Sequence, residues 1–225
     1  GALGRGADAV KVMTAVGGIE SADAPVAMWE ISRTIKSSPR LMAEFDAGVD
    51  GLLERLHASA DLEAATLLGQ WDNLIAHHGH RGPNEWDLRA HSWTTKPSMP
   101  LGMLERLRHQ DDSKSPAEAH ARGVVVREQL TVELLALVDG DPEAHGGLQA
   151  GIRSASVFYG LREMGKNACI RLIHEAKLAV MEIGHRLVAD GVIDEVQQIF
   201  MLLDDEVDDF LADPTAMSAL IRERD

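Results

Sequence analysis

The sequence predicts an all-α fold, an irregular multi-helix domain with one long central helix. Three observations lead there. Aromatics make up 4% of the 225 residues and no long run alternates apolar with polar, so strand signals are nearly absent. Helix starts and stops recur along the chain as Asp, Ser and Pro before periodic stretches and Gly after them. One apolar stripe, Leu161, Met164, Ala168, Leu172, Ala176, Ala179, Ile183 and Leu187, advances in steps of three and four, the period of one helix face.

The elements follow in order. Asp23 and Pro25 open a helix to about Lys36, and Ser38-Pro39 opens another to about His57, with Pro at its first position. Asp61 caps a third, which Gly79 ends after His78. Gly79, Gly82, Pro83, Pro97 and Pro100 then interrupt the helical pattern, and a short helix is expected over Pro100–Arg108. Ser115-Pro-Ala-Glu118 reads as a capping box starting a helix to about Val138. Asp141-Pro142 begins a short piece ending near Gly146-Gly147. The longest helix is expected from about Leu148 to Asp190, ended by Gly191. Asp204 caps Glu206–Ala212, and Asp213-Pro214 starts a final helix.

Composition narrows the function. Net charge is −14, which repels nucleic-acid phosphates and anionic membranes. No run approaches the roughly 18–20 apolar residues of a membrane span. Cys169 is the single cysteine, so no disulfide forms within the chain; it reads as a small buried residue, and a cytoplasmic location is expected. No repeat or low-complexity linker divides the sequence, and residues 1–225 read as one helical domain, a fragment or subunit of a larger protein. Asp204, Asp205, Asp208 and Asp209 lack calcium-loop spacing and read as a capped, solvated helix face.

Two constellations carry chemistry. Residues 77–91 hold His77, His78, His80 and His91 among Arg81, Glu85, Asp87 and Arg89, on a loop specialised by Gly79, Gly82 and Pro83. The histidine spacing is poor for one metal, and no metal site is predicted. Two readings stay open: an Arg81–Glu85 or Arg89–Asp87 ion pair locking the loop, or an anion or substrate site using His80 and Arg81. In Arg162-Glu-Met-Gly-Lys166 two cations lie four apart on one helical face, a repulsion of roughly 0.2–0.5 kcal/mol unless an anion sits opposite. Glu163 can pair with Lys166. Gly165 costs about 1 kcal/mol against alanine in mid-helix and suggests close approach of another segment or ligand. An ordinary ion-pair cluster is the alternative to a phosphate-holding pair.

Gly79-His-Arg-Gly-Pro-Asn-Glu-Trp-Asp-Leu88 resembles the Gly-His-Arg-Gly-x-x-Glu-x-Asp/Glu-Leu motif of phosphoenolpyruvate-utilising phosphotransferases, similar to phosphoenolpyruvate synthase-like proteins and rifampin phosphotransferase. Arg162-Glu-x-x-Lys166 resembles their second motif, and Gly184–Asp194, Ile199–Leu202 and Asp205–Val207 resemble the segment after it. The order is kept over roughly residues 79–210. The chain departs from the pattern at His91-Ser92, where Pro-Arg is usual, and at Gln198, where Asp is common.

The resemblance implies an acceptor-binding domain. An ATP-grasp-like domain before it would use ATP and Mg2+ to phosphorylate a histidine on a swivelling domain after it. The phosphohistidine would then hand its phosphoryl group to a hydroxyl acceptor, so that ATP and the acceptor give AMP, phosphate and the phosphorylated acceptor overall. Both partner domains lie in the same chain or in separate subunits, and this chain binds no cofactor itself. By resemblance, Lys166 and Arg162 are catalytic stabilisers of the moving phosphoryl group, and Glu163 orients Lys166 or serves as a base. His80, Arg81, Glu85 and Asn167 are assigned to substrate binding. The acceptor class stays open among an aromatic alcohol, a macrocyclic antibiotic and a keto acid. The alternatives are a binding or scaffold protein that keeps the helical fold and a metal-dependent hydrolase using the histidine-rich loop.

Overall fold

The computed structural model describes residues 8, 11–13, 15 and 23–224. The described residues are helical throughout their regular structure, with no strand among them. The chain divides into two compact units: residues 1–78 with 97–167, and residues 79–96 with 168–225.

In the first unit, α1 (Asp23–Ser37) is the hub, packed against α2 (Pro39–Asp46), α4 (Leu62–His78), α5 (Ser98–Leu107) and α6 (Pro116–Ala136). Its acidic first turn suits the helix dipole, and Ala24, Met28, Ile31 and Ile35, at steps of four, three and four, are buried. Arg33 ties α1 to the end of α5. Its guanidinium lies 4.0 Å from the Trp29 ring centroid and donates to the Leu107 carbonyl at 2.5 Å and the Gln110 carbonyl at 2.9 Å. Those bonds add to the satisfaction of carbonyls at a helix C-terminus; the Leu107 carbonyl also accepts from the Gln110 backbone N–H at 3.0 Å. Arg108, 2% exposed, is balanced by Asp46 at 2.6 Å and Glu105 at 2.8 Å.

The helix expected from Ser38 to His57 is two helices, α2 and α3 (Leu52–Ala58). Gly48 (φ 103°) and Gly51 (φ 66°) turn the chain between them through left-handed conformations. Arg55 then gathers the freed carbonyls of Glu44, Gly48 and Asp50 at 2.6–2.9 Å. Ser115 stands at the start of α6 as expected, but its side chain makes no capping hydrogen bond. The final helix is Ser218–Arg224, later than expected, because Asp213 spends its carboxylate on a turn, accepting from Thr215 and Ala216. Asp225 lies outside the described residues.

The longest helix, α7 (Pro142–Ala189), has 48 residues. It begins earlier than expected: Asp141 caps Glu143 and Ala144 at 3.1 Å, and Gly146-Gly147 stays helical. It ends as expected at Gly191 (φ 73°), where Val192 donates to the Leu187 carbonyl and Gly191 to that of Val188. The buried face corrects the expected stripe. Leu161, Met164, Leu172 and Ile183 are exposed, Leu172 by 74%, whereas Asn167, Ile170, His174, Lys177 and Leu187 are buried. Cys169 is exposed as well, on the side away from that buried row.

In the second unit, Leu187, Ile193, Ile199, Met201, Phe210 and Ile221 form the core. They come from the end of α7, the connection after it (Ile193), a 3-10 helix (Val196–Met201), α8 (Val207–Ala212) and α9 (Ser218–Arg224). Alanine at Gly184 would bring Cβ to 2.9 Å from the Val196 carbonyl oxygen, so that glycine lets the 3-10 segment approach α7. No helix among the described residues is long and apolar enough to cross a membrane.

Candidate functional site

Segment 79–96 is a fixed turn. The backbone N–H of Trp93 donates to Arg81 at 2.8 Å and that of Thr94 to Gly79 at 3.0 Å. Gly82 permits this closure, because a Cβ there would meet the His91 carbonyl oxygen at 2.4 Å. Ser92 and Thr95 bond each other across the turn, and His80, Ser92 and Trp93 are buried. The Arg81–Glu85 ion pair forms at 3.3 Å, with both side chains largely shielded. Asp87 accepts from the Arg89 backbone N–H at 2.9 Å. Of the two readings of this loop, the locking ion pair is therefore present at Arg81–Glu85.

The segment is pinned to α7 by a residue that sequence reasoning missed. Lys177 is 3% exposed, and its Nζ donates to the Ala90 carbonyl at 2.5 Å. One turn earlier, His174 is 7% exposed, and its Nδ1 is buried without a hydrogen-bond partner; Nδ1 of His91 is in the same state. Burial pushes the Lys177 amine below its usual value, opposed by Asp87. Burial also holds His174 below the ordinary histidine value, helped by Lys177 and His80 and opposed by Glu175. His91 is lowered by burial and then by Lys96 and Lys177. In all three groups burial penalises the charged form, and Lys177 adds to that penalty at both imidazoles.

In the first unit, the turn 162–167 is arranged otherwise. Arg162 is mostly exposed and pairs with Glu163 at 2.5 Å, while the Glu163 side chain is only 12% exposed. Lys166 is half-buried and Asn167 buried. At Gly165 no atom of another described segment lies within 4 Å of where a Cβ would stand, so no segment makes the close approach. The same unit holds an open groove of about 530 Å3 between α6 and α7, lined by Arg127, Thr131, Val132, Arg153, Ser156 and Val157 among others. That volume falls in the range of about 300–1,000 Å3 usual for small-molecule sites.

The predicted site residues thus fall into two groups. Arg162, Glu163, Lys166 and Asn167 belong to the first unit, and His80, Arg81 and Glu85 to the second. His174 and Lys177 carried a readable signal, since polar residues at 163, 167, 174 and 177 follow the helical period; the apolar stripe drew attention to the opposite face. Among the described residues, no group of three or more His, Cys, Asp or Glu could hold a metal ion.

The family described as the rifampicin phosphotransferase fourth domain matches residues 1–163, which takes in segment 79–96, Arg162 and Glu163, and stops before Lys166. No curated protein matches the chain. With most of its length matched, the chain belongs to the rifampicin phosphotransferase fourth-domain family.

Proposed function

We propose that this chain is the acceptor-binding part of an ATP-dependent, dikinase-type phosphotransferase. The family match is the observation that carries this reading. The geometry supports it in the first unit, where the groove beside Arg153 and the 162–166 turn lie on the same helix.

In this reading a companion ATP-grasp-like domain, loaded with ATP and Mg2+, phosphorylates a histidine on a second companion domain. The P–N bond of that phosphohistidine then breaks as a P–O bond forms to the acceptor hydroxyl. Arg162 and Lys166 offset the charge on the phosphoryl oxygens in transit. Glu163 sits beside Arg162 at 2.5 Å, so it fixes the guanidinium, and its second role in this reading is to take the hydroxyl proton. The acceptor is a small hydroxyl compound seated in the groove, and a rifamycin is the first to try because of the family's name.

Lys166→Ala in the complete protein is expected to abolish transfer to the acceptor while histidine phosphorylation from ATP continues. Radiolabelled ATP separates the two steps. A variant that transfers at the wild-type rate removes Lys166 from the mechanism. A complete reading frame without ATP-binding and phosphohistidine partners, attached or encoded alongside, overturns the phosphotransferase reading itself.

A further inference from the structure

We propose that the second unit holds an oxyanion-binding site formed by Lys177, His174 and His91. Its ligand is a small tetrahedral anion, either inorganic phosphate or the phosphoryl group of a larger molecule. This inference stands on local geometry and does not depend on the phosphotransferase reading.

The first ground is donor bookkeeping. A lysine ammonium carries three N–H donors. Lys177 is almost fully buried, and the protein satisfies one donor, through the Ala90 carbonyl. Burying polar hydrogens without partners is costly, so such groups are normally satisfied by something. The second ground is that the neighbouring acceptor or donor atoms are also unsatisfied. Nδ1 of His174, one turn before Lys177, and Nδ1 of His91, next to the bonded Ala90 carbonyl, are both buried without a partner. Lys177 acts electrostatically on both imidazoles, so the three polar centres, on one short stretch of α7 and one loop residue, lie within reach of one another's charge.

The third ground is charge. No carboxylate makes an ion pair with Lys177 among the described residues, and Asp87 acts on it only from farther away. His80 and Lys96 add positive or neutral-donor character around the two imidazoles, and Glu175 is the acidic residue that faces His174. A buried cluster of this sign rejects a cation. An oxyanion accepts from the ammonium and from each imidazole in its Nδ1–H form, as charge-assisted hydrogen bonds. In a chain of net charge −14, a local site of this kind also needs the shielding that burial provides.

The test is imidazole nitrogen NMR on the 15N-labelled full chain. Inorganic phosphate is expected to move the His174 and His91 signals saturably and to raise both pKa values, while sodium chloride at matched ionic strength does neither. Sulfate, whose charge is fixed over the range, should bind more tightly as pH falls through about 6.5, because binding takes up protons. Lys177→Met should weaken phosphate binding roughly tenfold or more, and Lys177→Arg should keep most of it. Phenyl phosphate separates the sources: a response to both ligands assigns the site to a phosphoryl group on a larger molecule, and a response to phosphate alone assigns it to the free ion. If the wild-type imidazole signals titrate identically with and without phosphate and sulfate, the site does not exist. That comparison needs no variant, so it decides the matter even where Lys177→Met fails to fold.

Discussion

Two turns of the same helix carry cations in opposite settings. At Arg162–Lys166 the charges sit near solvent, and Glu163 already answers Arg162. At His174–Lys177 an imidazole and an ammonium are buried, and only a backbone carbonyl answers Lys177. The difference teaches that like charges one helical turn apart do not by themselves demand a ligand. Water and a neighbouring carboxylate relieve them at small cost. Burial without an ion-pair partner is the stronger signal, because desolvation penalises the charged form and no contacting carboxylate offsets it.

The comparison can be broken at several points. The largest effect is expected at Ile170, which lies between the two turns on the buried face: Ile170→Ala should cost roughly 2–5 kcal/mol in denaturant unfolding. Leu172→Ala, on the face in solvent, should stay within about 0.5 kcal/mol. Equal losses would mean that the two faces of α7 are not as different as their exposure indicates. Next comes Gly82→Ala, whose Cβ collides with the carbonyl beside the Lys177 contact. Urea melts should show a loss of roughly 1–3 kcal/mol, with Trp93 fluorescence reporting the loosened turn.

Acid should weaken the buried turn selectively. His174 and His91 have folded values below the ordinary one, so the unfolded chain binds more protons between the folded value and about 6.5. Stability therefore falls as pH drops through that window, and His174→Gln should flatten the slope. A slope unchanged by that substitution would show that His174 is not the group responsible. The smallest effect is expected at the exposed turn, where Arg162→Ala should change stability by no more than about 0.5 kcal/mol.

Much of the helical layout was legible. Asp61, Asp141 and Gly191 mark helix ends in the sequence, and each makes the bonds such residues make. The break at Gly48 and Gly51 was signalled only by glycines, and the apolar positions on either side suggested one continuous helix. On α7 both faces carry residues at helical spacing, so hydrophobicity alone chose the wrong one. What decides the matter is a partner 87 residues away: the Ala90 carbonyl needs a donor, and Lys177 supplies it. Periodicity along one helix contains no trace of that bond. Arg162, Glu163 and Arg81 were found because charge clusters are visible in one dimension, whereas His174 and Lys177 acquire their character only from what covers them.

Gln198 shows what an amide does where a carboxylate could stand. Its Oε1 accepts from the backbone N–H groups of Asp194 and Glu195 at 2.8 and 3.3 Å, a task a carboxylate would also perform. A carboxylate would hold those donors more strongly, but protonation would weaken its grip. The amide has no proton to gain. Nearby, Glu206 is held down to about 2 by its bonds with Arg224, so that clasp loosens only in strong acid. The glutamine knot does not loosen there at all. The entry to the 3-10 turn thus trades bond strength for indifference to acidity, and slow hydrolysis of that amide to glutamate would reverse the trade without moving an atom of the backbone.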